Sequence, residues 1–376
     1  MRAANLVWTL LVVFSASLFV PATAQDNARP DTGISGVYEV VLGVDEATPA
    51  IDYFAEFGFT VVAEAELSEN AATKLYGVPS AARVYRLQNG EIDTHGLLRI
   101  IEWAEPIGPG VGYAPPETIG QRMAVMRTRD IFRIDDVFND LRHESEEAWL
   151  PTPPVYDDLY DLDEGAYSIS NRRVGVREMG VYGEFFNHVF FQRYGYTIPG
   201  YGTIGDAPLQ TSEFTHHDFI VDGDLSEITG YYVDVLGFVS ENDPSLDGDW
   251  LKGPKSVFDM ENGEAHWYRG FVSPNNICGK LKFFSARDPG YVRDRSENQR
   301  LGEPGITAHT LYTPKLSMVH ELATDYELEP TGILQNEFDE KSFVFTGPDG
   351  STWQILEAPE TYSTPVLEFK LNQVSN

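Results

Sequence analysis

The chain has 376 residues, with 58 Asp and Glu against 27 Lys and Arg, for a formal net charge of −31 at neutral pH. Such an acidic balance repels nucleic acid and anionic membranes, and it favours solubility, also in a salty medium. The single cysteine, Cys278, excludes an internal disulfide, so stability has to come from the core.

In chain order, residues 1–24 read as a secretory leader: Arg2, the apolar run LVWTLLVVFSASLFV, then Ala22-Thr23-Ala24 before Gln25. The reading predicts an exported chain, periplasmic or secreted, that starts at Gln25 with a short tail over 25–33. No later apolar run approaches the ~18 residues of a membrane span, so no stable membrane insertion is expected. The remaining length suggests two domains of roughly 150 residues each.

The next elements repeat. GVYEVVLGVDEATPAIDYFAEFGF from Gly36 and HHDFIVDGDLSEITGYYVDVLGF from His216 each read as strand, acidic turn, amphipathic helix and Gly-Phe. Thr48 before Pro49 and Ser226 are expected N-caps, and Gly58 and Gly237 fit a left-handed helix end. Weaker copies start at Arg122, with Ile134, Val137, Phe138 and Leu141 on one helical face, and at Gly305, with Leu316, Val319, Leu322 and Ala323. Closing strands are predicted from Leu97, Gly180, Lys280 and Ser351, with Pro/Gly-rich connectors between units. The chain thus reads as four βαβββ modules.

Four such modules, with stretches such as VVLGVDEATPAIDYFAEFGF, YGVPSAARVYRL and GPDGSTWQILEAP, resemble the vicinal oxygen chelate (VOC) superfamily, which includes glyoxalase I, extradiol dioxygenases and bleomycin-resistance proteins. The resemblance implies an α+β fold in which the modules pair two and two into glyoxalase-like domains with cup-shaped mixed sheets. It implies an N-terminal VOC domain over 34–195, a linker over 196–212, a C-terminal VOC domain over 213–360 and a tail over 361–376.

In that superfamily the metal ligands come from the first and closing strands of each module. Carried onto this sequence, the first-strand positions are Glu39, Met123, His217 and His309, and the closing-strand positions are Glu102, Glu184, Ser285 and Gln354. His217, His309 and Gln354 match the extradiol pattern of two histidines and a carboxylate except that Gln354 is neutral, and a bulge would bring Glu357 into its place. His216 is expected to face the other side of the sheet. Glu39, Glu102 and Glu184 form a possible second cavity, in which three carboxylates would need a hard cation or protonation.

The resemblance implies a divalent metal, with Fe, Mn, Zn and Ni not distinguished, and a small-molecule substrate with neighbouring oxygens. Two helper residues of the ring-cleaving enzymes are missing: Val344 replaces a tyrosine, and NNICGKLKFF has no histidine. Lys280, Lys282 and His266-Trp267-Tyr268 are candidates to line a cavity, or else exposed and core residues. The sequence leaves two functions open: a metal-dependent isomerase, lyase or dioxygenase, and a non-catalytic binding or sequestering protein of the bleomycin-resistance type. It names no catalytic base and no oligomeric state.

Overall fold

The structure is a computed structural model that describes residues 29–372, apart from 115, 117, 146–147, 168–169, 242–255, 259–265, 275–277, 287–292 and 364. The expected leader, 1–24, lies outside the described residues. Module one comprises β1 (Val37–Val44), α1 (Ala47–Ala55), β2 (Phe59–Leu67), α2 (Glu69–Tyr76), β3 (Ala82–Asn89) and β4 (Leu97–Trp103). Module two has β5 (Arg122–Thr128), α3 (Ile131–Glu144), β6 (Trp149–Pro151), β7 (Val155–Tyr167), β8 (Ser170–Gly183) and β9 (His188–Tyr194), followed by β10 (Tyr196–Thr197). Module three has β11 (Thr211–Val221), α4 (Leu225–Ile228), α5 (Tyr231–Asp234), β12 (Val239–Ser240), β13 (His266–Val272) and β14 (Lys280–Ala286). Module four has β15 (Gly305–Thr313), α6 (Leu316–Asp325), β16 (Leu334–Gln335), β17 (Lys341–Thr346) and β18 (Thr352–Glu357), and β19 (Lys370–Leu371) follows.

The local signals hold in part. Gly58 and Gly237 take φ of +93° and +75°, as a left-handed helix end requires. The caps shift: α1 starts after Glu46, ahead of Thr48, and α4 is capped by Asp224, whose carboxylate accepts from the Ser226 N–H at 2.7 Å. The third module's helix is two short turns broken at Gly230.

Two curled mixed sheets result. Sheet one runs β16-β17-β18-β15-β1-β4-β3-β2, and sheet two runs β12-β13-β14-β11-β5-β9-β8-β6, with β7 added on β8. Four modules do pair into two sheets, but the pairing is nested, not consecutive. β1 runs antiparallel to β15 and β5 antiparallel to β11, so modules one and four build sheet one while two and three build sheet two. The split at 196–212 therefore does not describe which strands share a sheet. Each module leaves the outer edge of its first strand unpaired, and nothing local says which other first strand will fill it.

Helices α1, α3, α4, α5 and α6 lie between the sheets, whereas α2 packs Ala72, Leu75 and Tyr76 on the other face of sheet one against Val41, Ile101 and Ala308. Phe54 of α1 and Phe138 of α3 share a core with Val40 of β1 and Phe190 of β9, and Tyr232 of α5 and Val319 of α6 share one with Phe219, Leu311 and Trp353. The outer face of each sheet is a cup. Segment 196–212 is held in place, with the Gly202 and Thr203 N–H groups donating to Glu213, and the tail adds β19 to β10.

Candidate functional site

Four positions come together in the cup of sheet one. Glu39 stands opposite Thr310, Thr310 stands opposite Gln354, and Arg99 projects from β4 beside them. One guanidinium nitrogen of Arg99 donates to Glu39 Oε2. Another donates to Gln354 Oε1 at 2.6 Å and Glu337 Oε1 at 3.0 Å. Arg86 on β3 donates to the second Glu39 oxygen and forks onto Glu340 at 3.2 and 2.8 Å, with its guanidinium 4.1 Å from the Phe338 ring centroid. The side chains of Glu39, Arg99 and Glu337 are fully buried. A protein guanidinium thus fills the space between the first-strand and closing-strand oxygens. A divalent ion there would have to displace Arg99 or face its charge, so these residues do not fit a metal.

His217 and His309 are brought together, though away from either cup. His309 pairs in register with Trp353 on β18, and its ring lies 5.4 Å from that indole; Gln354, one residue on, faces the cup. His217 comes from the other sheet, and its ring lies 5.0 Å from that of His309. Burial holds His217 down to about 3; burial, His217 and Arg122 push His309 down as well. Two neutral imidazoles are two donors, and among the described residues no cluster of three His, Cys, Asp or Glu could hold a metal ion. Neither this pair nor the cup completes the donor set of an Fe, Mn, Zn or Ni centre.

The other expected ligands are scattered. Glu357 shares the face of His309 but lies four residues beyond Trp353, about 13 Å along the strand, and it pairs with Lys341 at 3.0 Å. Glu102 has the opposite parity to Arg99 and pairs with Arg83 at 2.8 Å, in a cleft of about 870 Å³ at the mouth of the first cup. Glu184 is not on a closing strand: β8 ends at Gly183, Asn187 Oδ1 accepts from the Gly183 N–H at 3.1 Å, and Glu184 sits exposed in that turn. Ser285 faces away from the cup and donates to the Gly223 carbonyl at 3.0 Å.

The cup of sheet two is different. Asp218 pairs in register with Met123 on one side and Lys282 on the other, and His216 with Val125, so all these side chains share the concave face. Phe191, Ile220, Phe284 and Tyr268 form its apolar wall. Glu178 on β8 joins them opposite Phe191. Asp218 is 3% exposed, and its Oδ1 has no hydrogen-bond partner. Burial pushes its carboxyl up to about 6 against the opposing pull of Lys282. Glu178 is pushed up to about 7 by burial and by Asp157 and Asp218, again against Lys282. Burial together with Lys282, Lys280 and Arg193 keeps His216 well below its ordinary value. His216, expected on the far side, therefore lines the cup that His217 was expected to serve.

Arg99 and Asp218 were missed in the sequence reading, and both carry a signal. Each is a charge inside a strand of apolar residues, LLRIIEW and THHDFIV, where burial demands either a partner or a purpose.

No family model matches the sequence, and no curated sequence matches it. Solved structures do. A candidate dioxygenase from Bacillus subtilis is similar with a TM-score of 0.52 at 10% identity, over 88% of this chain and 87% of that one. Glyoxalase I from Zea mays is similar with a TM-score of 0.46 at 11% identity, over 86% and 92% of the two chains.

Proposed function

We propose that this chain, which has the vicinal oxygen chelate fold, acts on a small oxygenated molecule in the cup of sheet two, through its carboxyl groups and not through a metal at the expected ligand positions. One observation carries the reading: the buried Asp218 carboxyl, with an oxygen that has no partner, against the apolar wall of the cup and beside Lys282. A carboxyl at about 6 and another at about 7 divide the labour near neutral pH. Asp218 is then mostly ionised and able to take a proton from carbon beside a carbonyl, while Glu178 is about half protonated and able to return one. Lys282, 5.3 Å over the Phe191 ring, supplies the positive charge that an enolate oxygen needs. The reaction class is isomerisation or elimination at an α-hydroxycarbonyl. The leader-like sequence of residues 1–24 supports a site of action outside the cytoplasm.

The test is hydrogen exchange into a panel of small α-hydroxyketones in D2O, read by proton NMR for the wild type and for Asp218→Asn and Glu178→Gln. Exchange that is lost in Asp218→Asn supports the reading. Ligands that bind and shield Phe191 without exchange would turn it into the sequestering function.

A further inference from the structure

A cleft of about 430 Å³ opens where β5 and β9 end against the turn at 197–204. Arg127, Arg129 and Arg193 line it, and no Asp or Glu is among the described residues that do. Three clustered cations without a carboxylate are unexpected in a chain with 58 acidic and 27 basic residues.

Arg127 and Arg193 are held by backbone, not by acids. Arg127 Nη1 donates to the Gly202 carbonyl at 2.9 Å and Arg193 Nη1 to the Tyr201 carbonyl at 2.8 Å, while Arg127 Nε is buried with no acceptor. The nearby Glu213 does not line the cleft and is held by the Gly202 and Thr203 N–H groups and by His95 Nε2 at 3.1 Å. Gly202 adopts φ +72°, and a Cβ there would lie 3.2 Å from Arg127 Cδ and 3.3 Å from Arg193 Nη2, so the loop backbone rests directly on both side chains. Burial, reinforced by Arg193, pulls the Arg127 guanidinium down to about 10, a repulsion that an anion would relieve.

The geometry points to an oxyanion site: the Arg127–Arg129–Arg193 cleft takes a tetrahedral dianion such as phosphate or sulfate, either free or as the anionic end of a larger molecule. Three forked guanidiniums match a tetrahedral group with several acceptor oxygens better than a single carboxylate. The cleft is wide enough for a small organic phosphate or sulfate ester. This site does not depend on the chemistry assigned to Asp218.

Titration calorimetry on the full chain with inorganic phosphate, sulfate and phenyl phosphate at low ionic strength tests it, repeated for Arg129→Gln and Arg193→Gln. Saturable one-to-one binding that weakens about tenfold or more in both variants is the expected result. Tighter binding of phenyl phosphate than of phosphate marks a larger natural ligand, and equal binding marks the free anion. No saturable heat up to about 20 mM of any of the three, or affinities unchanged in both variants, overturns the site. Among the described residues the Arg129 side chain makes no hydrogen bond or ion pair, so Arg129→Gln should keep the wild-type melting curve and separate loss of the site from loss of the fold.

Discussion

His217 and His309 meet edge to face across the two sheets, with ring centroids 5.0 Å apart at 77°, and none of their four ring nitrogens has a hydrogen-bond partner. Unsatisfied buried polar atoms are costly, and an apolar side chain of similar shape removes that cost. His217→Phe and His309→Phe should therefore leave stability unchanged or raise it by about 1 kcal/mol, measured by urea unfolding at pH 8. A loss of several kcal/mol in both would mean that the rings hold something the fold needs.

The same pair sets an acid limit. The folded-state value of His217, about 3, lies below its ordinary 6.5, so between the two the unfolded chain binds the proton and the folded chain does not. Stability then falls as the pH drops from 6.5 towards 3, by at most about 1.4 kcal/mol per pH unit for each histidine. Unfolding midpoints across that range should be flatter for His217→Phe than for the wild type, and parallel curves would contradict the assignment.

Asp218 has the opposite sign. Its value is raised from 3.8 to about 6, so the stability tied to its protonated form is full below 3.8 and is lost as the pH rises through 6. Asp218→Asn should be more stable than the wild type at pH 8, and the gap should close by pH 4. An equal gap at both values would show that the carboxyl is not desolvated.

Arg99 ties Glu39, Glu337 and Gln354 together, and removing it leaves, among the described residues, the buried Glu337 carboxylate with only the Tyr76 hydroxyl and Glu39 with Arg86 as its one cation. Arg99→Ala should cost about 3–5 kcal/mol. The oxygen donors left behind form the set a hard cation prefers, so Mn²⁺ should restore part of the lost melting temperature in this variant and do nothing for the wild type. A variant indifferent to Mn²⁺ would mean that the cup collapses once the guanidinium is gone.

Gly36 stands where the start of β1 crosses the start of β14: an added Cβ would lie 1.2 Å from the Cys278 carbonyl oxygen. No side-chain shift can relieve contact with backbone, so Gly36→Ala should destabilise by several kcal/mol or prevent folding. Normal soluble yield and an unchanged melting curve would contradict that close approach.

The modules, their helices and the identity of the first strands were legible in the sequence because glycine ends and amphipathic faces are local properties. The side of the strand was not. β1 is buried at every position and β15 at every position but its first, so alternation of polar and apolar residues marks neither face as the cup. A one-residue slip in such a strand exchanges the faces, which is why the cup positions are Asp218 and Thr310 and not their neighbours His217 and His309. Glu39 lies on the cup face, yet its partner Arg99 has no counterpart in a ligand pattern read from carboxylates and histidines. The module pairing was hidden for another reason: each first strand offers the same kind of edge to all the others.

That nested pairing sets an order of assembly. The hydrogen bond from the Glu39 N–H to Thr310 Oγ1 joins residues 271 positions apart, whereas sheet two closes within the middle of the chain. The inner sheet can form as soon as β14 has left the ribosome, but β1 must wait, its edge open, until β15 arrives. Translation that stops before Gly305 should thus yield a protease-resistant middle and an N-terminal module that is digested, and the last module to be made is the one that protects the first.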